Sequence, residues 1–326
     1  MITADDIFTL SSRKAFDKLA LKVFRYQHEH NAVYRAFCDY LNTDVQQVKT
    51  IAKIPFLPIQ FFKTHEVICG EPVVEQIFTS SGTTGMSTSR HLVSDVSMYE
   101  QSYRLGFSAF YGNIQDYVVL ALLPSYLERE GSSLIYMVDD LIKRSEHPES
   151  GFYLHNTDEL AQKLKKLDAS GQNVLLIGVT YALLDLVEQH SFALQNTIIM
   201  ETGGMKGRRR EMIREELHQV LCQGFGVPSI HSEYGMTELL SQAYSLGEGI
   251  FECPPWMHVL VRDTEDPLQY IDSGKTGGLN VIDLANLNSC AFIATQDLGK
   301  QYENGSFEVL GRFDHSDIRG CNLMVM

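Results

Sequence analysis

A run of hydroxyl and glycine residues, Thr79 to Gly85 (TSSGTTG), follows an apolar stretch that predicts a strand over Val73 to Phe78. Hydroxyl groups and backbone N–H groups donate hydrogen bonds to anions, and glycine lets an anion approach closely because it has no Cβ. The pattern therefore suggests a phosphate-binding loop. An ordinary polar hairpin loop is the alternative interpretation of the same residues.

The phosphate-binding loop of P-loop enzymes is a different pattern. It requires the frame G-x-x-x-x-G-K-[ST]. The stretch SGKTG, Ser273 to Gly277, lacks that frame because residue 269 is Gln where glycine is required. TGGMKGRRR, Thr202 to Arg210, lacks it too. We therefore predict that SGKTGG forms a turn between strands.

Three later segments carry further polar residues beside glycine. SEYGMTE, Ser232 to Glu238, has a tyrosine and a carboxylate on either side of a glycine-containing turn after a short strand. TQDLG, Thr295 to Gly299, is predicted to place Asp297 in a turn. GRFDHSDIRGC, Gly311 to Cys321, ends in a cysteine. Each segment alone says little, since exposed polar residues are usually only solvated.

The elements that must position these segments alternate between helix and strand. Residues 12–45 show helical spacing with a break near Asn31. Short apolar runs such as YVVLALLP, NVLLIGVT and NTIIME then predict strands, separated by amphipathic stretches at 96–111, 131–145, 157–168 and 206–222. This alternation predicts an α/β fold whose largely parallel sheet is buried on both faces by helices.

The chain is predicted to form one compact unit with three parts. These are a helical segment over 1–70, an α/β core over 71–240 that carries the glycine-rich loop and YGMTE, and a β-rich subdomain over 241–326. In the last part WMHVLVRD, GGLNVIDL, CAFIATQDLG and SFEVLGR predict short strands.

Charge and composition exclude several classes of function. The formal net charge of −14 argues against binding nucleic acid or anionic lipid through positive charge. No run of about 18 apolar residues predicts a membrane span. The N-terminal residues lack the basic region of a secretory signal, so a cytoplasmic location is expected. The six cysteines form no CxxC pair, which argues against a local zinc site.

Taken together and in order, the segments resemble the adenylate-forming superfamily of acyl-CoA synthetases, luciferases and peptide-synthetase adenylation domains. The matching stretches are TSSGTTG, TGGMK, YGMTE, TQDLG and GRFD, across residues 73–320. Within it the chain resembles the acyl-protein synthetase (LuxE) family, through TGGMKGRR, EYGMTELLSQAY, CPPWMHVLVRD and LGRFDHSDIRGC. That family lacks the small C-terminal domain of other adenylate-forming enzymes, and this chain likewise ends five residues after Cys321.

The resemblance implies an ATP- and Mg²⁺-dependent activation of a carboxylic, and by this likeness fatty, acid as the acyl-adenylate. Asp297 would accept hydrogen bonds from the ribose, with Arg312 close by, and Tyr234 would stack on the adenine, beside Gly235. Thr237 would contact the α-phosphate and Glu238 would bind Mg²⁺. The β- and γ-phosphates would lie on the loop formed by Thr79, Ser80, Ser81, Gly82, Thr83, Thr84 and Gly85, and the adenine against Gly203 and Gly204.

The family also carries a cysteine near its C-terminus that accepts the acyl group, and Cys321 is the candidate here. His315 and Arg319 are near it in sequence, and cationic neighbours lower the pKa of a thiol. A buried or incidental cysteine is the alternative. The partner implied by the family is an acyl reductase or carrier.

Two departures from the superfamily pattern stand out. The glycine-rich loop continues as MSTSR instead of the usual Pro-Lys pair, which leaves Arg90 as the nearest cation. The lysine that orients the acyl carboxylate in longer relatives belongs to the domain absent here, and Lys206 and Arg208 are the candidate substitutes. An acyl-CoA ligase of the phenylacetate-CoA ligase type, and a catalytically silent nucleotide-binding subunit, remain as alternative functions.

Overall fold

A computed structural model describes residues 2–80, 88–123, 131–154, 156–203 and 212–313 of the chain. Helices, strands and loops interleave along the described ranges. The α-helices are α1 Ala4–Phe8, α2 Arg13–His30, α3 Ala32–Tyr40, α4 Phe61–Thr64, α5 Val96–Tyr111, α6 Ser133–Ser145, α7 Thr157–Ala169, α8 Thr180–Gln189 and α9 Arg214–Phe225. Short 3-10 helices span Ile51–Lys53, Ile114–Asp116 and Leu284–Asn286.

The first of two large sheets, here called the parallel-rich sheet, contains β4 Val118–Leu122, β5 Gly151–Tyr153, β6 Val174–Val179, β7 Thr197–Thr202, β8 His231–Tyr234 and β9 Ala243–Ser245. Its strand order is β5-β4-β6-β7-β8-β9, and all pairs are parallel except β8 with β9. Every residue of β4 and β6 is buried, as expected for central strands covered by helices on both faces. Helix α6 packs against β4, and α8 packs against β6 and α9.

The second sheet, here called the antiparallel sheet, contains β10 Ile250–Phe251, β11 Met257–Arg262, β12 Gly277–Asp283, β13 Phe292–Gln301 and β14 Phe307–Arg312. The order is β10-β14-β13-β12-β11, and the short strand β1, Leu57–Pro58, pairs in parallel with β13. A separate hairpin joins β2 Gln76–Thr79 to β3 Arg90–Val93.

Asn31 explains the predicted break in the N-terminal helical region. Its side-chain oxygen accepts a hydrogen bond from the Tyr34 N–H and so caps α3, while its amide donates to the Ser289 carbonyl at 2.8 Å. The residue is fully buried. The helix break thus also ties the N-terminal helices to the turn between β12 and β13.

The mixed α/β fold agrees with the sequence prediction, and four local predictions differ. The strand that precedes the glycine-rich loop begins at Gln76, and Val73 is exposed. The helix predicted over 206–222 begins at Arg214 among the described residues. Helix α8 was not predicted, because NVLLIGVT continues into it without a break in apolar character. Asp297 lies within β13, where pairing with β14 keeps the chain extended, and not in a turn.

The turn prediction for SGKTGG is confirmed, since β12 starts only at Gly277. Among the described helices none is long and apolar enough to cross a membrane.

Candidate active site

A hydrogen-bonded cluster joins the two large sheets. The hydroxyl of Tyr234, the last residue of β8, donates to Asp297 Oδ2 at 2.8 Å. Arg312 Nε, at the end of β14, donates to Asp297 Oδ1 at 3.1 Å. The sequence predicted all three as nucleotide-site residues, and the structure brings them together although they are far apart in the chain.

The antiparallel sheet places Asp297 and Arg312 opposite each other, because they are register partners of β13 and β14. The Tyr234 ring is held edge-on by Phe251 and Phe307, at centroid distances of 5.9 and 5.5 Å. Tyr234 and Asp297 are buried, whereas the Arg312 side chain is 79% exposed. The cluster is therefore fixed on its inner side and open on the arginine side.

Charge and burial both act on this cluster. The negative charge of Asp297 raises the pKa of Arg312. Burial, followed by the charge of Asp297, raises the pKa of Tyr234 well above its usual value. Tyr234 is therefore a neutral hydrogen-bond donor at physiological pH.

Glu238 and Thr237 lie in the turn that follows Tyr234. Glu238 is 5% exposed, and its burial raises the pKa of the carboxyl group, which an interaction with the Ser89 hydroxyl partly offsets. Thr237 is half-buried, and Gly235 is exposed. A Cβ at Gly235 would lie 2.4 Å from Glu233 Oε1, so only glycine fits this position without a shift of the glutamate.

The strands of the glycine-rich hairpin reach the same region. Ser80 N donates to the Ser89 carbonyl at 3.1 Å, and Ser80 Oγ accepts from Ser89 N at 2.9 Å, so the two residues close the base of the loop. Thr79 N donates to the Gly131 carbonyl at 2.8 Å. Arg90 lies at the start of the returning strand and pairs with Glu66 at 3.7 Å on the surface.

Gly203 forms a bend directly after β7, with φ +68°, in the left-handed region that favours glycine. The Thr180 hydroxyl donates to its carbonyl at 3.0 Å. Gly203 is exposed, which leaves its backbone accessible to a flat ligand.

Residues 3–107 and 145–326 match the family described as "Acyl-protein synthetase, LuxE". The chain belongs to this family. The resemblance seen in the sequence motifs is thereby confirmed.

Relatives of this LuxE family member include a "Long-chain-fatty-acid--luciferin-component ligase" from Vibrio harveyi. It is 23% identical over 329 residues, which cover 94% of this chain and 86% of the relative. A protein of the same name from Photorhabdus luminescens is 36% identical over 72 residues, which cover 22% of this chain and 61% of that protein.

Solved structures support the adenylate-forming fold. ATP-bound MatB from Rhodopseudomonas palustris superposes with a TM-score of 0.56 at 18% identity, over 73% of this chain and 48% of that one. 2-Hydroxyisobutyryl-CoA ligase in the postadenylation state gives 0.67 at 11% identity, over 95% and 70%. This LuxE family member thus spans about half the length of MatB. The predicted fold class is confirmed.

The residues present fit ATP and Mg²⁺ in two respects. Each oxygen of the Asp297 carboxylate makes one hydrogen bond to Tyr234 or Arg312 and keeps acceptor capacity for a sugar hydroxyl. Glu238 has no ion-pair partner within 4.0 Å in the described part of the chain, and a divalent cation would compensate its buried charge. No cluster of three or more His, Cys, Asp or Glu residues in the described ranges is arranged to hold a metal alone.

Several predicted site residues of this LuxE family member lie outside the described residues. They are Ser81, Gly82, Thr83, Thr84, Gly85, Gly204, Lys206, Arg208 and Cys321.

Sequence reasoning missed two residues beside the site. Glu233 precedes Tyr234 in β8, and the Thr202 hydroxyl donates to its carboxyl group at 2.5 Å. His91, on the strand returning from the glycine-rich loop, contacts the Thr237 carbonyl. Strand alternation within SEYGMTE was the available signal for Glu233, since it places residues 232 and 234 on one face and residue 233 on the other.

Proposed function

We propose that the chain activates a carboxylic acid, a fatty acid by analogy with the named relatives, with ATP and transfers the acyl group to Cys321. In the first step an oxygen of the acid attacks the α-phosphorus of ATP, the bond to the bridging oxygen breaks, and pyrophosphate leaves. In the second, the Cys321 thiolate attacks the acyl carbon and AMP leaves. The acyl group is then passed to a reductase or carrier partner.

One observation carries this proposal: Tyr234, Asp297 and Arg312 meet within hydrogen-bonding distance next to Thr237 and Glu238, in a member of the acyl-protein synthetase family. The Asp297 carboxylate suits the paired hydroxyls of a ribose. The Tyr234 ring and the exposed backbone of Gly203 suit the adenine. Ser89, at the described base of the hairpin, interacts with Glu238, which suits a hairpin next to the phosphates.

Glu238 is the proposed Mg²⁺ ligand, together with phosphate oxygens of ATP. The metal would neutralise charge that develops on the phosphate oxygens during transfer. The side chains of the protein would position ATP: Thr237 at the α-phosphate, Asp297 at the ribose, and Glu238 at the phosphates. Positioning and charge stabilisation supply most of the catalysis in such transfers.

The test separates the two steps. With ATP, Mg²⁺ and a panel of carboxylic acids, the protein is expected to catalyse acid-dependent ATP–pyrophosphate exchange and to gain the mass of one acyl group. Cys321→Ser should keep the exchange and lose the hydroxylamine-labile acyl adduct, because a serine hydroxyl is far less ionised than a thiol. Cys222→Ser is the matched control and should keep both. Glu238→Ala should lose the exchange while remaining folded.

Other outcomes select the alternatives. Acylation of free CoA with no labelled protein would favour an acyl-CoA ligase. An adduct on Cys321→Ser at the wild-type rate would move the acceptor to another cysteine. Absence of exchange with every acid, alongside ATP binding, would favour a silent nucleotide-binding subunit.

A further inference from the structure

A buried histidine links the two segments proposed to hold the phosphates. His91 lies in β3, opposite Phe78 of β2, two residues after Ser89 at the base of the glycine-rich loop. Its side chain is fully buried, and the Phe62 ring packs edge-on against it at 5.4 Å. Its position fixes how the loop hairpin sits against the turn that follows Tyr234.

Both ring nitrogens of His91 have a partner, and the partners define the tautomer. Nδ1 lies 2.8 Å from the Thr237 carbonyl, and Nε2 lies 2.9 Å from Ser289 Oγ. A carbonyl only accepts, so Nδ1 carries the proton and donates to it. Burial lowers the pKa of His91 to about 4, so the imidazole is neutral at physiological pH and Nε2 accepts from the Ser289 hydroxyl.

The next carbonyl of the turn is held in the same way by a second buried side chain. Asn286 Nδ2 donates to the Glu238 carbonyl at 2.7 Å, and Asn286 is fully buried. Ser289 and Asn286 belong to one turn of the antiparallel sheet, in which Ser289 N donates to the Asn286 carbonyl. Two consecutive carbonyls of the proposed catalytic turn are therefore held by buried side chains.

We propose that His91 is a positioning residue for the activation step: its Nδ1–H fixes the Thr237 carbonyl and thereby sets the distance between β3, the strand that returns from the glycine-rich loop, and the Thr237–Glu238 peptide. This inference rests on the proposed adenylation. His91 touches no reacting atom in this scheme. It acts through Thr237 and Glu238, whose side chains would contact the α-phosphate and Mg²⁺.

Two amide substitutions distinguish positioning from a merely structural role. In His91→Asn the side-chain NH₂ lies near the position of Nδ1 and can still donate to the Thr237 carbonyl. In His91→Gln it lies near Nε2, faces Ser289, and leaves the Thr237 carbonyl without its donor. Both changes replace a buried imidazole by a primary amide, so a purely structural role predicts similar losses for the two.

The measurements are ATP–pyrophosphate exchange, with kcat and the KM for MgATP separated, and thermal unfolding of the full chain. We expect His91→Asn to retain exchange within about threefold of wild type, and His91→Gln to lose about tenfold or more in kcat at a similar melting temperature. The loss should fall on kcat more than on KM, because the phosphate charge that these residues meet grows in the transition state. Ser289→Ala is the control, since it removes the other hydrogen bond of the ring and should keep the exchange rate.

The outcomes that overturn the inference differ from those that overturn the function. Equal kcat for the Asn and Gln variants, or losses that follow melting temperature alone, would reject a positioning role. If the wild-type protein catalyses no ATP–pyrophosphate exchange with any of the acids tested, the proposed adenylation fails instead. MgATP titration of the same two variants then decides whether His91 sets the nucleotide site, with equal affinities rejecting it.

Discussion

Two glutamates on neighbouring strands of the parallel-rich sheet, Glu201 buried and Glu233 half-buried, occupy opposite electrostatic environments. Glu201 of β7 is 4% exposed and its Oε1 accepts from Arg214 Nη1. Its Oε2 lies 3.1 Å from the Thr180 hydroxyl, whose one proton it shares with the Gly203 carbonyl. Glu233 of β8 accepts from Thr202 and has no ion-pair partner within 4.0 Å among the described residues. Within the described ranges, a positive charge therefore balances Glu201 and none balances Glu233.

The difference appears in the two titrations. Burial pushes the pKa of Glu201 upwards, but the His218 ring, whose Nε2 lies 3.7 Å from Glu201 Oε1, and the charge of Arg214 outweigh it, so that pKa is lowered. Burial raises the pKa of Glu233 to about 7. The nearby negative charge of Glu201 acts in the same direction, whereas the hydrogen bond from the Thr202 hydroxyl acts to lower the pKa. Glu201 therefore stabilises the fold as an ion, whereas Glu233 changes charge near neutral pH beside Tyr234 and Gly235.

The largest expected effect is on stability, from Glu201→Gln. Removing this charge leaves Arg214 without its carboxylate partner. The Arg214 side chain packs against Gly249 and lies over the Phe251 ring. Breaking a buried pair costs about 3–5 kcal/mol; the Arg214 side chain is 29% exposed, so we expect about 2–4 kcal/mol.

The measurement is urea unfolding at pH 7, with Glu215→Gln as the control. Glu215 is exposed on the same helix as Arg214, and its change should cost less than about 0.5 kcal/mol. Equal losses for the two variants would show that the Glu201 ion pair contributes nothing measurable.

The second effect is on the pH dependence of stability, from Glu233→Gln. A folded-state pKa of about 7, above the unfolded value of 4.5, means that the native state binds this proton more tightly. The stability that the protonated Glu233 contributes is fully present below pH 4.5 and is lost as the pH rises through about 7. The Gln variant lacks this loss. We therefore expect its free energy of unfolding to rise by about 1–3 kcal/mol relative to wild type between pH 5 and pH 8.

The same pH series on Glu201→Gln sharpens the contrast. The lowered pKa of Glu201 gives a contribution that is present above pH 4.5 and is lost as the pH falls further. The series must therefore extend below pH 4.5. With rising pH, the free energy of unfolding relative to wild type should fall for Glu201→Gln in that acidic range and rise for Glu233→Gln between pH 5 and pH 8. Parallel slopes for both would contradict the opposed environments.

Strand periodicity located β7 and β8, and the motifs located Tyr234, Asp297 and Arg312. Sequence spacing does not show that Arg214, at the start of α9, reaches back to Glu201, while no cation of the described ranges lies within 4.0 Å of Glu233. Those contacts depend on how α9 packs beside the sheet, which local patterns do not encode.

Asp297 shows the complementary limit. The residues TQDLG have the composition of a turn, yet they continue β13, because β14 pairs with them and a register shift at Leu298 and Gly299 absorbs the irregularity. Pairing with a partner strand overrode local propensity.

In contrast, the helix predicted over 96–111 matches α5 in both bounds, since its amphipathic pattern is set locally. The predicted domain boundaries, and the roles of the nucleotide-site residues, stay predictions.

The smallest expected effect concerns the single hydrogen bond of Glu233. Thr202→Val keeps the size of the side chain and removes the hydroxyl that donates to the carboxyl group. The hydroxyl lowers the pKa of Glu233, so its removal should raise that pKa further and extend the pH range in which the group stays protonated. At pH 8, where the carboxylate most needs a donor, the loss should be about 0.5–1.5 kcal/mol, and it should shrink at pH 5.

A double-mutant cycle with Glu233→Gln identifies the source of that loss. In the Gln background the Thr202 hydroxyl no longer faces an ionisable group, so the cost of Thr202→Val should become independent of pH. Urea unfolding of the four proteins at pH 5 and pH 8 measures the cost of Thr202→Val in the wild-type background and in the Gln background. A pH-dependent cost that survives in the Gln background would assign the effect of Thr202 to another titrating group and remove Glu233 as the unbalanced carboxylate of this sheet.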